Sequence, residues 1–163
     1  MSVISGDLLN QTGYIVQQCN CVTLKHHGLS FSIKKKFGKL GDVYGSRKGS
    51  KNTTTEDITP GTIQVNLVDD NVSLVHMFGQ WAPGKPGVWS SRYGNVYDDD
   101  AKTRYEYFET CLVNLLEAVD GRPIYFPWRI SCGLAGGDWT MYENKIQEFS
   151  SIYKGKVYIV KLT

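Results

Sequence analysis

Several features that would assign a function at once are missing from this sequence of 163 residues. It has no run of eighteen apolar residues, so we expect no membrane span and no membrane association. The 18 Lys and Arg nearly balance the 16 Asp and Glu, and the net charge of +2 provides no electrostatic argument for nucleic-acid binding. No repeat, linker or low-complexity segment divides the chain. We therefore predict one domain over residues 1–163.

Cysteine is also scarce, at four residues. The first ten residues lack the basic and apolar pattern of a secretory signal, which favours a cytoplasmic, intracellular location with reduced thiols. Cys19 and Cys21 have a spacing that could suggest metal ligands, but no second Cys or His pair at ligand spacing follows them. We therefore expect no metal site and no cofactor.

The familiar phosphate-binding motifs are absent as well. The glycine-rich stretch 131–137, "SCGLAGG", is followed by no Lys-Ser/Thr pair and lacks GxGxxG spacing, which argues against a P-loop ATPase and a Rossmann dehydrogenase. It does lie between an apolar strand and a predicted helix start. Glycines let backbone N–H groups approach an anion there, and the helix start favours negative charge. The stretch is predicted to be either a phosphate-binding loop or a tight turn without a ligand.

Short apolar runs alternate with helical patterns, which predicts an α/β domain. Strands are expected at 14–21, 61–68, 72–80, 122–128 and 156–162. Helices are expected at 29–37, from about 103 to 119, and at 139–152. The spacing of Thr103 and Glu106 predicts a capping box at the start of the second helix. Segment 46–60 is expected to be a polar loop, and 79–103 a long irregular insert.

Four segments occur in an order that resembles the macrodomain family. They are "GDLL" at 6–9, "CNC" at 19–21, the His/Gly loop at 25–30 and "ISCGLAGGDW" at 130–139. The resemblance covers nearly the whole chain and is closest to the branch that contains ADP-ribose-1''-phosphate phosphatases and terminal ADP-ribose protein glycohydrolases. It implies a three-layer α/β/α domain with a central mixed sheet, which binds ADP-ribose as a monomer. The insert at 79–103 has no place in the common pattern.

The resemblance also implies which residues bind ADP-ribose. Asp7, next to Leu8, would accept a hydrogen bond from the adenine amino group, and Asn20 would contact the distal ribose. For Asp7 the structural alternative is a turn carboxylate, and for Asn20 it is a buried cap of the strand end. The remaining expected contacts come from two loops: Gly28, Leu29 and Ser30 in the first, and Ser131, Cys132, Gly133, Leu134, Ala135, Gly136 and Gly137 in the second.

The candidates for catalysis are His27, Asp138 and Asn20. An imidazole with a pKa of roughly 6.5 can donate and accept a proton near neutrality, although His27 could equally be a solvated loop residue. Asp138 could orient water, but the cap of the last helix is the favoured role. The Lys and Asp that the glycohydrolase branch uses are missing, because segment 78–80 reads "FGQ" and the second loop has Ala135. A covalent lysine mechanism is therefore not supported.

These residues lead to a hypothesis about function. The first choice is a hydrolase that acts on an ADP-ribose derivative at its distal ribose, in the manner of an ADP-ribose-1''-phosphate phosphatase. The alternatives are an ADP-ribosylhydrolase that acts on modified protein or nucleic acid, a non-catalytic ADP-ribose reader, and an interaction module with a degenerate pocket. Trp81, Trp128 and Trp139 are candidate aromatic walls of the site, with core packing expected for Trp139.

Overall fold

The computed structural model describes residues 1–163, which form eight strands and three α-helices. The strands are β1 (Ser2–Ser5), β2 (Gly13–Gln18), β3 (Gly49–Ser50), β4 (Thr53–Thr54), β5 (Ile63–Leu67), β6 (Val72–Met77), β7 (Ile124–Pro127) and β8 (Val157–Lys161). The α-helices are α1 (Leu29–Phe37), α2 (Ala101–Ala118) and α3 (Trp139–Ile152). No helix combines the length and the apolar character that a membrane crossing requires.

Six strands form one mixed sheet in the order β1-β8-β7-β2-β6-β5. The neighbours from β1 to β6 pair in parallel, and only β5 is antiparallel to its neighbour β6. The carboxyl ends of five strands therefore lie along one edge of the sheet, which we call the carboxyl edge. Loops that leave such an edge are where open α/β sheets bind ligands.

Helices cover both faces of this sheet. On one face, Val16 of β2 belongs to a buried cluster with Phe108 of α2 and Ile146 of α3. On the other, Ile15 of the same strand packs in a cluster with Ile33 of α1. Since successive side chains of a strand point to opposite faces, the consecutive buried apolar residues Ile15 and Val16 show that this central strand is covered on both sides. The expected three-layer α/β/α arrangement is confirmed.

Most predicted elements are confirmed, and three expectations are corrected. Strand β1 was not expected, because its four residues are mostly exposed and show no apolar run. The capping box at Thr103 is wrong: α2 begins at Ala101, and the carboxylate of Asp100 accepts a hydrogen bond from the Thr103 amide at 2.7 Å. The segment 46–60 is not only loop, because it contains the β3–β4 hairpin.

Candidate ligand-binding cleft

A cleft of about 1230 Å³ opens along the carboxyl edge. Its walls come from the segments that follow β1, β2, β7 and β8. Most of the residues expected from the sequence line it: Asp7, Leu8, Asn20, His27, Gly28, Leu29, Ser30, Ser131, Gly133, Leu134 and Ala135. The order of the strands in the sheet brings these positions together, although they come from both ends of the chain.

Four of the expected residues do not line the cleft. Cys132 lies in the hydrophobic core, and the amides of Gly136 and Gly137 donate to the carbonyls of Gly133 and Ser131 at 3.1 and 2.8 Å. The Asp138 carboxylate caps α3 by accepting a hydrogen bond from the Thr140 amide at 3.0 Å. These contacts close the loop internally, so the expectation that the whole stretch 131–137 faces a ligand is corrected.

Three consecutive amides of this loop are free. The N–H groups of Gly133, Leu134 and Ala135 donate to no acceptor within the protein, and all three residues line the cleft. A Cβ built on Gly133 would meet no atom within 4 Å, which shows that open space adjoins this backbone. Consecutive free N–H groups beside open space form a site suited to an anion.

Strained backbone and a chain of amide side chains hold this loop in place. Ser131 has a φ of 69°, in the left-handed region that non-glycine residues rarely adopt. Its hydroxyl donates to Gln18 Oε1, Gln18 Nε2 donates to Gln80 Oε1 at 2.7 Å, and Gln80 Nε2 donates to the Ala82 carbonyl at 2.9 Å. Strain of this kind costs roughly 1–3 kcal/mol and persists where the surroundings over-determine the conformation.

A buried ion pair supports the loop from behind. The Arg104 guanidinium, on α2 and 2% exposed, donates from Nε and Nη2 to the two carboxylate oxygens of Asp99 at 3.0 and 2.7 Å. Its Nη1 donates to the carbonyls of Gly84 and Ala135 at 2.6 and 3.3 Å. The insert 79–103 is thereby tied to the free amides. Sequence reasoning missed this pair, because no motif distinguishes it from other charged residues near a helix start.

Asn20 caps the turn after β2 and also lines the cleft. Its Oδ1 accepts hydrogen bonds from the amides of Val22 and Thr23, each at 3.0 Å, and so shapes the turn after β2. The guanidinium of buried Arg47 donates to the Asn20 carbonyl at 2.7 Å. Asn20 Nδ2 has no partner within the protein, which leaves it available to an acceptor in the cleft.

The His/Gly loop brings one of its two histidines to the cleft. His27 is exposed there, and its backbone is fixed because its N–H donates to Ser30 Oγ at 3.1 Å while that hydroxyl donates to the His27 carbonyl at 2.9 Å. His26 lies outside the cleft and pairs through Nε2 with Asp42 Oδ1 at 2.5 Å. His27 is therefore the imidazole that can reach a ligand.

The charges that line the cleft are predominantly positive. Lys25, Arg129 and Lys161 line it against one carboxylate, that of Asp7, and none of the three cations takes part in an ion pair. The charged side chains that line the cleft therefore carry a net positive charge. An anionic ligand is favoured electrostatically. No group of three or more His, Cys, Asp or Glu side chains is placed to hold a metal ion.

A buried histidine lies beneath the cleft. Gln17, which lines the cleft, donates from its side-chain amide nitrogen to His76 Nδ1 at 2.8 Å. The imidazole proton is therefore on His76 Nε2, which faces the Leu40 carbonyl at 3.4 Å. Burial lowers the pKa of His76 from 6.5 to about 4. The imidazole is therefore neutral in the folded protein near neutral pH.

The depressed pKa of His76 predicts a pH-dependent stability. Between pH 6.5 and about pH 4 the unfolded chain binds a proton at His76 that the folded chain does not. The contribution of His76 to the free energy of unfolding is therefore fully present above pH 6.5 and is lost as the pH falls toward 4. Between pH 7 and pH 4 we expect the free energy of unfolding of the wild type to fall by about 3 kcal/mol more than that of His76→Gln. Urea unfolding at the two pH values measures both. Parallel pH profiles of the two proteins would contradict this expectation.

Comparison with known proteins establishes the fold. No protein-family model and no curated protein matches the sequence. A solved protein of unknown function from Bacteroides thetaiotaomicron is 23% identical, with a TM-score of 0.73 over 98% of this chain and 96% of that one. The macrodomain of Mycobacterium tuberculosis DarG is 17% identical, with a TM-score of 0.69 over 98% and 95%. A variant of the Oceanobacillus iheyensis macrodomain with ADPR is 15% identical, with a TM-score of 0.61 over 98% and 83%.

Proposed function

We propose that this chain, which has the macrodomain fold, binds ADP-ribose along the carboxyl edge and hydrolyses a derivative of it at the distal ribose. The observation that carries the proposal is the row of free amides from Gly133 to Ala135 in a cleft with unpaired cations. A diphosphate offers adjacent anionic oxygens, and backbone N–H groups form charge-assisted hydrogen bonds to such oxygens.

The adenine end of the ligand would lie near Asp7. Asp7 Oδ1 accepts a hydrogen bond from the Leu9 amide at 2.9 Å, whereas Oδ2 has no partner and can accept from the adenine amino group. The Gly6 amide bonds to the Lys161 carbonyl at 3.0 Å, which brings the segment after β1 beside the end of β8. Trp128, at the end of neighbouring β7 and 40% exposed, offers an indole surface on which a base can stack.

The distal ribose would lie at the other end, near Asn20, His27 and Gly28. Hydrolysis of ADP-ribose-1''-phosphate requires water to attack phosphorus while the bond between phosphorus and the 1''-oxygen breaks. His27 would donate a proton to the leaving oxygen, and the Lys25 ammonium would balance the charge of the phosphoryl group. The products are ADP-ribose and inorganic phosphate.

Calorimetry with ADP-ribose tests the binding part of the proposal. We expect a heat of binding and a rise in melting temperature, because a ligand at 100 times its dissociation constant stabilises the folded state by about 2.7 kcal/mol. AMP and ribose 5-phosphate, which lack the diphosphate bridge, serve as controls and are expected to bind more weakly. Absence of heat and of thermal stabilisation with ADP-ribose would end the proposal.

His27→Ala tests the catalytic part. Loss of a general acid is expected to slow phosphate release from ADP-ribose-1''-phosphate by about 100-fold, with the affinity for ADP-ribose within about twofold of wild type. Asp138→Ala is the matched control, since its carboxylate caps α3 outside the cleft. It is expected to lower stability by about 1 kcal/mol without changing the rate. If His27→Ala lowers binding and rate equally, the catalytic role is wrong.

One observation favours a second candidate, a non-catalytic reader of ADP-ribose. The only carboxylate that lines the cleft is that of Asp7, at the end expected to hold adenine. No carboxylate is therefore available in the cleft to activate water at the distal ribose. A reader would bind ADP-ribose without releasing phosphate from ADP-ribose-1''-phosphate, and without releasing ADP-ribose from modified protein or nucleic acid.

A further inference from the structure

We infer that the preferred ligand carries an additional phosphate on its adenosine ribose, which Arg129 and Lys161 bind at the adenine end of the cleft. This inference rests on the proposed function and names the substrate class of the same cleft. It starts from two cations that the binding of ADP-ribose itself does not account for.

Arg129 and Lys161 cluster around one indole. Lys161 Nζ lies 4.4 Å from the ring centroid of Trp128, and the Arg129 guanidinium carbon lies 5.5 Å from it. Both cations line the cleft, and neither has a carboxylate partner. An aromatic surface with adjacent cations is the combination that proteins use to stack a base and neutralise the phosphate attached to its nucleoside.

The strand order places Lys161 at the adenine end of the cleft. Lys161 ends β8, which lies beside β1, and its carbonyl accepts a hydrogen bond from the Gly6 amide, next to Asp7, at 3.0 Å. Trp128 follows β7, on the other side of β8. The free amides of the loop lie toward the insert, because the Ala135 carbonyl accepts a hydrogen bond from Arg104. A diphosphate held by those amides would leave the Lys161 ammonium at the adenine end without an anion.

The backbone at Arg129 has a conformation that non-glycine residues rarely adopt. Its φ of 60° is in the left-handed region, and its carbonyl accepts a hydrogen bond from the Cys132 amide at 2.9 Å. A non-glycine residue holds such a conformation where the surrounding structure imposes it. A guanidinium can bind two oxygens of one phosphate at once, so Arg129 is suited to a terminal phosphate.

Calorimetry with ADP-ribose and with its 2'-phosphate on the adenosine ribose tests the inference. We expect wild type to bind the 2'-phosphate about tenfold more tightly than ADP-ribose. The double variant Arg129→Gln/Lys161→Gln is expected to lose this preference. Its matched control is Lys35→Gln/Lys102→Gln, which removes the same charge at two exposed positions outside the cleft and is expected to keep the preference.

The outcomes separate this inference from the proposed function. If ADP-ribose binds but its 2'-phosphate binds no more tightly, the inference is overturned and the proposed function stands. Retention of the preference in the Arg129→Gln/Lys161→Gln variant would also overturn it, because another group would then hold the phosphate. If neither compound binds, the proposed function fails and the inference fails with it.

Discussion

Gly133→Val is expected to weaken ADP-ribose binding by about 100-fold without lowering the melting temperature. The added Cβ meets no protein atom within 4 Å, and the φ of Gly133 is not in the left-handed region, so the fold tolerates a side chain there. The valine methyl groups would instead occupy the space through which a phosphate approaches the amides. Each charge-assisted hydrogen bond contributes about 1.5–3 kcal/mol, so loss of one or two accounts for the expected effect.

Leu134→Ala is the control for this variant. It trims a side chain that is 75% exposed but keeps the backbone amide, so we expect binding within about threefold of wild type. Calorimetry gives the affinities, and thermal unfolding without ligand checks the fold of both variants. Wild-type affinity in Gly133→Val would show that the diphosphate does not use this loop.

Arg104→Met is expected to cause the largest loss of stability. It leaves the Asp99 carboxylate, which is 4% exposed, without its cation, and leaves the carbonyls of Gly84 and Ala135 without a donor. Removal of one partner of a buried ion pair costs about 3–5 kcal/mol. The measurement is the free energy of unfolding in urea.

A double-mutant cycle distinguishes the ion pair from lost packing. Asp99→Asn combined with Arg104→Met removes both charges and retains one acceptor oxygen for the Trp81 and Ala82 amides, which in the wild type donate to Oδ1 and Oδ2 of Asp99 at 2.9 and 3.1 Å. We expect the double variant to be more stable than Arg104→Met alone. A loss below about 1 kcal/mol in Arg104→Met would contradict the role of the pair.

Apolar periodicity explains which elements could be predicted. Helices α1 and α3 have the bounds expected from the sequence, since each carries a clear apolar stripe and α3 follows a capping residue, Asp138. Strand β1 could not be found in the same way, because it is a short edge strand whose existence depends on pairing with β8. Capping is equally ambiguous in sequence, as Asp100 and Thr103 are both suitable residues and the packing of α2 decides between them.

The candidate site shows where local reasoning ends. From the sequence, all seven residues of 131–137 are equivalent members of a glycine-rich loop. In the structure, Ser131 has a left-handed φ, and the amides of Gly136 and Gly137 donate to carbonyls within the loop. The amides from Gly133 to Ala135 donate to no acceptor in the protein. Which amide is free is a property of the folded loop as a whole, so residue types alone could not reveal it.

The sequence by itself determined the α/β class, the main helices and strands, and the segments from which the cleft is built, because these depend on periodicity and on short local motifs. Only the tertiary structure decided that Arg104 supports the loop, and that Trp128, Arg129 and Lys161 meet in the cleft that Asp7 also lines. The physical reason is the strand order, in which β1, β8 and β7 are neighbours although they lie far apart in the chain. Charges and hydrogen bonds act over a few ångströms, and only folding sets those distances.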